Sequence, residues 1–153
     1  MIIKLVSLIL LSASIEKNKW VELFNGKDLD GWEVKINGYE FGENYRNTFK
    51  VEDGSIKVSY ERYRKFGDRF GHLFYTKKEF KNYILSLDYK FNGEHLRGAP
   101  GWSIKNSGVM LHSQDPRTML KNQEFPVSAE AQLLGGVGTG ERPTLFVKMV
   151  YMF

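Results

Sequence analysis

The fold class follows from residues 48–60, which read TFKVEDGSIKVSY. Asp53-Gly54 stands between two alternating arms, and Asp-Gly is a preferred dipeptide for the two-residue turn of a β-hairpin. In the second arm, the side chains of Ile56, Val58 and Tyr60 lie on one face, and the polar side chains between them lie on the other. The stretch therefore predicts an antiparallel hairpin.

Alternating segments and turns continue on both sides of this hairpin. The clearest is 83–91, in which side chains alternate between two faces along the whole segment. Further strands are predicted at 20–24, 32–36, 70–76, 106–113 and 127–134. Short strands separated by turns, without intervening helices, predict an all-β fold built as an antiparallel β-sandwich or jelly roll.

Composition indicates one ordered domain. The chain has 153 residues, of which 42% are apolar and 14% aromatic, which is enough for a single core. The net charge of +4 is too small to indicate nucleic acid as a partner. Residues 61–69 mix basic and aromatic side chains, as nucleic-acid surfaces do. We interpret them instead as a solvated loop that could also border a sugar cleft.

The N-terminus has the layout of a secretory signal peptide. Lys4 supplies a positive start, residues 5–11 form an apolar run, and residues 12–14 are the small residues of a cleavage site. The run is far shorter than the roughly 20 residues of a membrane-spanning helix. We expect a signal peptide at 1–14, one domain at 15–153, and a periplasmic or secreted protein; a buried N-terminal strand is the alternative. The chain has no cysteine, which excludes disulfides and a lipidated cysteine anchor.

Two late segments could place polar groups on one open face. If Val109 and Leu111 face the core, strand alternation directs Asn106 and His112 outward, and the same logic directs Glu130 and Gln132 outward from the last strand. Should the two strands be neighbours, these four side chains would form a polar floor suited to sugar hydroxyls. An ordinary solvated sheet face is the alternative.

Five segments, in the same order along the chain, resemble the 3-keto-disaccharide hydrolase domain family. They lie at 20–32, 49–56, 80–91, 106–109 and 130–132, and the resemblance extends over about residues 20–144. It implies a concanavalin A-like jelly roll, export, and cleavage of glycosides that carry a ketone at C3.

A C3 ketone acidifies the C2 proton, so that a base can remove it and the C1 substituent can leave; water then adds back. Such a site needs a base near C2 and hydrogen-bond donors near the C3 oxygen. His112 and Glu130 are the candidates for the base, and Asn106 and Gln132 for holding hydroxyls or the ketone oxygen. Trp102, in a loop flanked by Gly and Pro, could stack on a pyranose ring.

Two other kinds of site chemistry use acidic or metal-ligating residues. A retaining glycosidase needs two carboxylates about 5–5.5 Å apart, and the segment 130–135 offers Glu130 alone. A divalent metal that polarises the ketone is chemically reasonable, and His112 with Glu130 could contribute ligands. The three histidines nevertheless form no recognisable metal motif.

The resemblance ends near Thr144, and residues 145–153 are almost entirely apolar. We interpret this tail as a truncated or frame-shifted end of an incomplete sandwich; a genuine short variant with one buried final strand is the alternative. A non-catalytic carbohydrate-binding module and an inactive fragment of the family are therefore the alternatives to an enzyme.

Overall fold

A computed structural model describes residues 20–135. The predicted signal peptide at 1–14 and the tail at 145–153 lie outside these residues. The described part contains six strands: β1 (Trp32–Ile36), β2 (Phe49–Glu52), β3 (Ser55–Val58), β4 (Gly71–Tyr75), β5 (Asn106–Leu111) and β6 (Ala129–Leu134). Three single 3₁₀ turns lie at Tyr45–Asn47, Gly101–Ser103 and Pro116–Thr118, and no α-helix occurs between residues 20 and 135.

The strands form three antiparallel pairs, β1 with β4, β2 with β3, and β5 with β6. The β2–β3 pair is the hairpin predicted around Asp53-Gly54, whose φ angles of 50° and 69° match a turn that needs positive φ at both central residues. The predicted all-β, antiparallel class of the β-sandwich and jelly roll is thus confirmed.

The apolar core lies between the first two pairs. Val34 and Ile36 of β1 pack with Phe49 of β2, and all three are buried. Leu73 of β4 and the ring of Tyr45 are packed against this cluster and are partly buried. Because Val34 and Ile36 are two residues apart, they place one face of the β1–β4 pair against the β2–β3 hairpin.

The opposite face of the β1–β4 pair holds the connection between β5 and β6. Lys35 and His72 are opposite one another in the ladder, and each bonds a backbone carbonyl of that connection. Lys35 is 1% exposed, and its Nζ donates to Lys121 O at 2.9 Å and to Ile36 O at 3.0 Å. His72 Nε2 lies 2.7 Å from Glu124 O, which can only accept, so this nitrogen carries the proton.

Two predicted strands differ from the structure. Segment 83–91 carries only single β-bridges at Ile84 and Ser86, and segment 20–24 only one, at Trp20. Burial in 83–91 still broadly follows the predicted alternation, since Leu85 and Leu87 are partly buried while Asp88 is exposed. Alternation specifies which side chains face inward, but a strand also needs a continuous backbone ladder to a neighbour, which the pattern does not supply.

Candidate functional site

The candidate site is the face shared by β5 and β6. The two strands are direct neighbours, and their register places Gly108 opposite Gln132 and Met110 opposite Glu130. Asn106 is two residues from Gly108 and therefore lies on the same face. The conditional prediction that these strands pair is met, and one face carries an amide from each strand and a carboxylate.

Glu130 occupies the space that Gly108 leaves open. A β-carbon added at Gly108 would lie 2.7 Å from both Cγ and Cδ of Glu130, which is closer than non-bonded carbons approach, so the Glu130 side chain would have to move. The side chain of Glu130 is exposed, and its carboxylate has no hydrogen bond or ion pair with any residue between 20 and 135. The side chain therefore extends over Gly108, and its carboxylate is open to a ligand.

Asn106, Gln132 and Trp102 form one hydrogen-bonded group. Gln132 Nε2 donates to Asn106 Oδ1 through a short bond, and also to Ser107 O at 2.9 Å. Asn106 Nδ2 donates to Trp102 O at 2.9 Å. Both N–H groups of the Gln132 amide are thereby engaged, which leaves its Oε1 as an acceptor, whereas Asn106 retains one N–H donor.

Trp102 forms an exposed aromatic surface beside these amides. It lies in the 3₁₀ turn Gly101–Ser103, is 59% exposed, and stacks parallel to Phe70 with ring centroids 5.6 Å apart. Phe70 in turn packs against Phe66 and Phe125, with centroids 4.9 Å apart in both pairs. The indole is thus supported from behind by the partly buried ring of Phe70, which rests on the buried Phe66, while much of the indole faces solvent.

His112 lies apart from this group. The ladder ends at Leu111, and His112 follows with a φ of 48°, so the strand alternation used to predict its direction stops one residue earlier. Its exposed ring packs against Tyr83 at 5.4 Å, and within residues 20–135 it makes neither a hydrogen bond nor an ion pair with Glu130. The structure thus brings Asn106, Gln132 and Trp102 into contact with one another, places Glu130 on the same face, and leaves His112 without a contact to Glu130.

The family follows from comparison with known proteins. A family model described as the 3-keto-alpha-glucoside-1,2-lyase-like domain matches residues 19–145. The chain belongs to this family. The resemblance derived from the five sequence segments is confirmed, and a sugar partner fits a domain of this kind. No match was found among curated proteins or among solved structures.

The part of this domain that the structure describes contains no candidate membrane span. Across residues 20–135, no helix has the length and apolar character that crossing a bilayer requires.

The described residues also offer no fit for a divalent metal. No group of three or more His, Cys, Asp or Glu side chains between residues 20 and 135 is arranged to hold one. Glu130 and His112, the residues predicted to contribute metal ligands, make no hydrogen bond or ion pair with one another.

The loop 61–69, which the sequence allows to border a sugar cleft, lies at a concave surface together with two other loops. A cleft of about 510 Å³ is lined mainly by polar side chains: Asn37, Tyr39, Asp68, Arg69, Asn122 and Glu124. None of the five predicted site residues lines it. Its walls come from three loops that are far apart in sequence, and their meeting in space has no local sequence signal.

Proposed function

We propose that the chain cleaves 3-keto-glycosides by elimination across C1 and C2 followed by addition of water, which amounts to hydrolysis. The observation that carries the proposal is the carboxylate of Glu130, which lies open on the β5–β6 face beside the amides of Asn106 and Gln132. Membership of the 3-keto-alpha-glucoside-1,2-lyase-like family supports the reaction type.

Each step can be assigned to groups on this face. The Glu130 carboxylate accepts the C2 proton, and the electron pair of the C–H bond forms an enolate with the C3 ketone. The remaining N–H of Asn106 donates to the enolate oxygen, where negative charge develops. The enolate then collapses, C1=C2 forms, the C1–O bond breaks, and the leaving oxygen takes a proton from the Glu130 carboxylic acid.

Water completes the reaction by adding its hydroxyl to C1 and a proton to C2. Gln132 Oε1 orients the substrate by accepting a hydrogen bond from a sugar hydroxyl. It is available because both N–H groups of the Gln132 amide bond within the protein. Trp102 supplies an exposed ring face against which an apolar sugar face can pack. His112 remains the second candidate for the base.

A paired-carboxylate glycosidase is less well supported. Glu130 is the only acidic residue in strands β5 and β6. A retaining mechanism needs a second carboxylate about 5–5.5 Å away. A single base with amide donors instead matches the needs of an elimination at an activated carbon.

The place of action is part of the same proposal. Lys4, the apolar run 5–11 and the small residues 12–14 support export, and we infer that the domain meets its sugar in the periplasm or outside the cell.

A carbohydrate-binding role without turnover is the second candidate. The observation that favours it is the separation of His112 from Glu130, because a binding face needs the exposed Trp102 and the amides but no assembled acid–base pair. The two functions share a ligand surface and differ in whether C2 loses its proton.

The deciding experiment incubates the chain with a 3-keto-disaccharide in D₂O and follows the C2 proton and the released sugar by NMR. An enzyme exchanges or eliminates at C2 and releases the sugar. A folded sample that binds the disaccharide but leaves C2–H intact would overturn the enzymatic proposal and support the binding module.

A further inference from the structure

We propose that the cleft lined by Asp68, Arg69 and Glu124 is a second carbohydrate site, which binds a neutral sugar unit without reacting with it. The inference goes beyond the proposed function, because it assigns a ligand to a surface that contains none of the residues of the β5–β6 face. It does not depend on chemistry at a ketone.

The cleft gathers polar groups that the protein itself does not use. Among residues 20–135, the carboxylates of Asp68 and Glu124 and the amide of Asn122 have no hydrogen-bond or ion-pair partner. Many acidic groups elsewhere are paired, such as Asp30 with Lys77 and Asp115 with Arg117. Acceptors and donors that converge on one concavity are the groups that hydroxyl-bearing ligands require.

The walls of the cleft are held in place from behind. Asn37 Nδ2 donates to Asp68 O at 2.8 Å, and Arg69 Nη1 donates to Phe66 O at 2.9 Å. The third loop is fixed by the bond between His72 and Glu124 O described above. A cleft built from cross-linked loops loses little conformational entropy when a ligand enters.

Charge and hydrogen bonding favour a neutral, hydroxylated ligand. Asp68 and Glu124 outnumber the single guanidinium of Arg69, which disfavours an anion. No cluster between residues 20 and 135 could hold a metal cation. The carboxylates of Asp68 and Glu124 accept hydrogen bonds, which favours a ligand whose hydroxyl groups can donate them.

The cleft also borders the aromatic surface that carries Trp102. Phe70 and Phe125 follow Arg69 and Glu124 directly in the chain, and their rings pack at 4.9 Å. Trp102 stacks on Phe70. A sugar in the cleft could therefore be either a separate molecule or a further unit of a saccharide that passes over Trp102.

The test is a titration of the ¹⁵N-labelled full chain with methyl α-glucoside and, separately, with maltotriose. The amides of Gly38 and Gly67 report on the cleft, and that of Gly108 reports on the β5–β6 face. We expect saturable shifts at Gly38 and Gly67 that persist when Glu130→Gln is introduced. The double variant Asp68→Asn/Glu124→Gln should weaken them by about tenfold or more while leaving turnover unchanged. Asp53→Asn, another exposed aspartate with positive φ, is the matched control.

The same spectra separate the two sources of the sugar. Equal affinity for both probes, with shifts at the cleft glycines alone, identifies a separate molecule. Tighter binding of maltotriose, with Gly108 shifting in parallel, identifies one saccharide spanning both surfaces. Absence of shifts at Gly38 and Gly67 with both sugars, or shifts that survive the double variant in a folded protein, would overturn the site regardless of whether the chain has activity.

Discussion

Glu130 lies across Gly108 on the neighbouring strand, with its carboxylate in the place that any larger residue at position 108 would fill. The glycine has an ordinary strand conformation rather than a positive φ, so its role is the space it leaves and not its backbone freedom. The geometry of the proposed base therefore depends on a residue without a side chain.

Replacing Gly108 by alanine should displace Glu130 while preserving the strand pair. Because small misplacements of a catalytic group are costly, we expect kcat/KM toward a 3-keto-disaccharide to fall by about a hundredfold. Gly101→Ala, where an added β-carbon meets nothing within 4 Å, should keep parental activity. Parental activity in a folded Gly108→Ala protein would show that the position of Glu130 does not matter.

Asn106 and Gln132 should act as one unit. Gln132 bonds Asn106, and Asn106 bonds the backbone of Trp102, so losing either amide disturbs the other. A double-mutant cycle with Asn106→Ala and Gln132→Ala should give a coupling of about 0.5–1 kcal/mol in kcat/KM. The same cycle with Asn92→Ala in place of Asn106→Ala should be additive, and additivity in the first cycle would contradict the network.

Trp102 should contribute affinity more than rate. Its indole is 59% exposed and is backed by Phe70, so Trp102→Ala should weaken sugar binding by about tenfold. Trp102→Phe should retain most of the affinity, since a ring still stacks there. Removing another exposed apolar side chain through Leu120→Ala should have no effect on binding. Calorimetric titration measures the sugar affinity of all three variants. An unchanged affinity of Trp102→Ala would contradict the proposed packing of the sugar on the indole.

Acid should destabilise the fold through His72. Burial lowers the pKa of His72 from 6.5, and the charge of Lys35 lowers it further, against the bond to Glu124 O, which raises it. The unfolded chain therefore binds the proton at higher pH than the folded chain. The free energy of unfolding should fall as the pH drops below about 6.5, by at most about 1.4 kcal/mol per pH unit for one proton.

Denaturant unfolding between about pH 7 and pH 5 measures this slope, above the range in which exposed carboxylates titrate. His72→Gln should flatten it, because glutamine can donate to Glu124 O without titrating. His95→Gln should keep the parental slope, since His72 remains. An unchanged slope in His72→Gln would mean that another group controls the acid sensitivity.

Local patterns predicted much of the fold. Asp53-Gly54 specified the hairpin because few dipeptides accept positive φ at both positions. The alternation in 129–134 placed Glu130 and Gln132 on an exposed face, but on the opposite face only Leu133 is buried, while Ala129 and Ala131 are exposed. In 83–91 the alternation predicted a continuous strand, but the segment has only single bridges, since a hydrogen-bonded ladder depends on a partner strand that is distant in sequence.

Other features had no local signal. Lys35 follows an alternating pattern that suggests an exposed lysine, yet it is buried because the β5–β6 connection covers it. The direction of His112 was derived from a strand that ends at Leu111. The composition of 61–69 indicated a loop that could border a cleft, but no local pattern indicated that two further loops meet it.

The most direct test of the proposed function compares Glu130→Gln with Glu94→Gln, an exposed acid in a loop, in the release of sugar from a 3-keto-disaccharide. If Glu130 removes the C2 proton, Glu130→Gln should lower kcat by about a hundred- to ten-thousandfold with affinity nearly unchanged, and Glu94→Gln should match the parent. Turnover by a folded Glu130→Gln protein within a few-fold of the parent would contradict the assignment of the base.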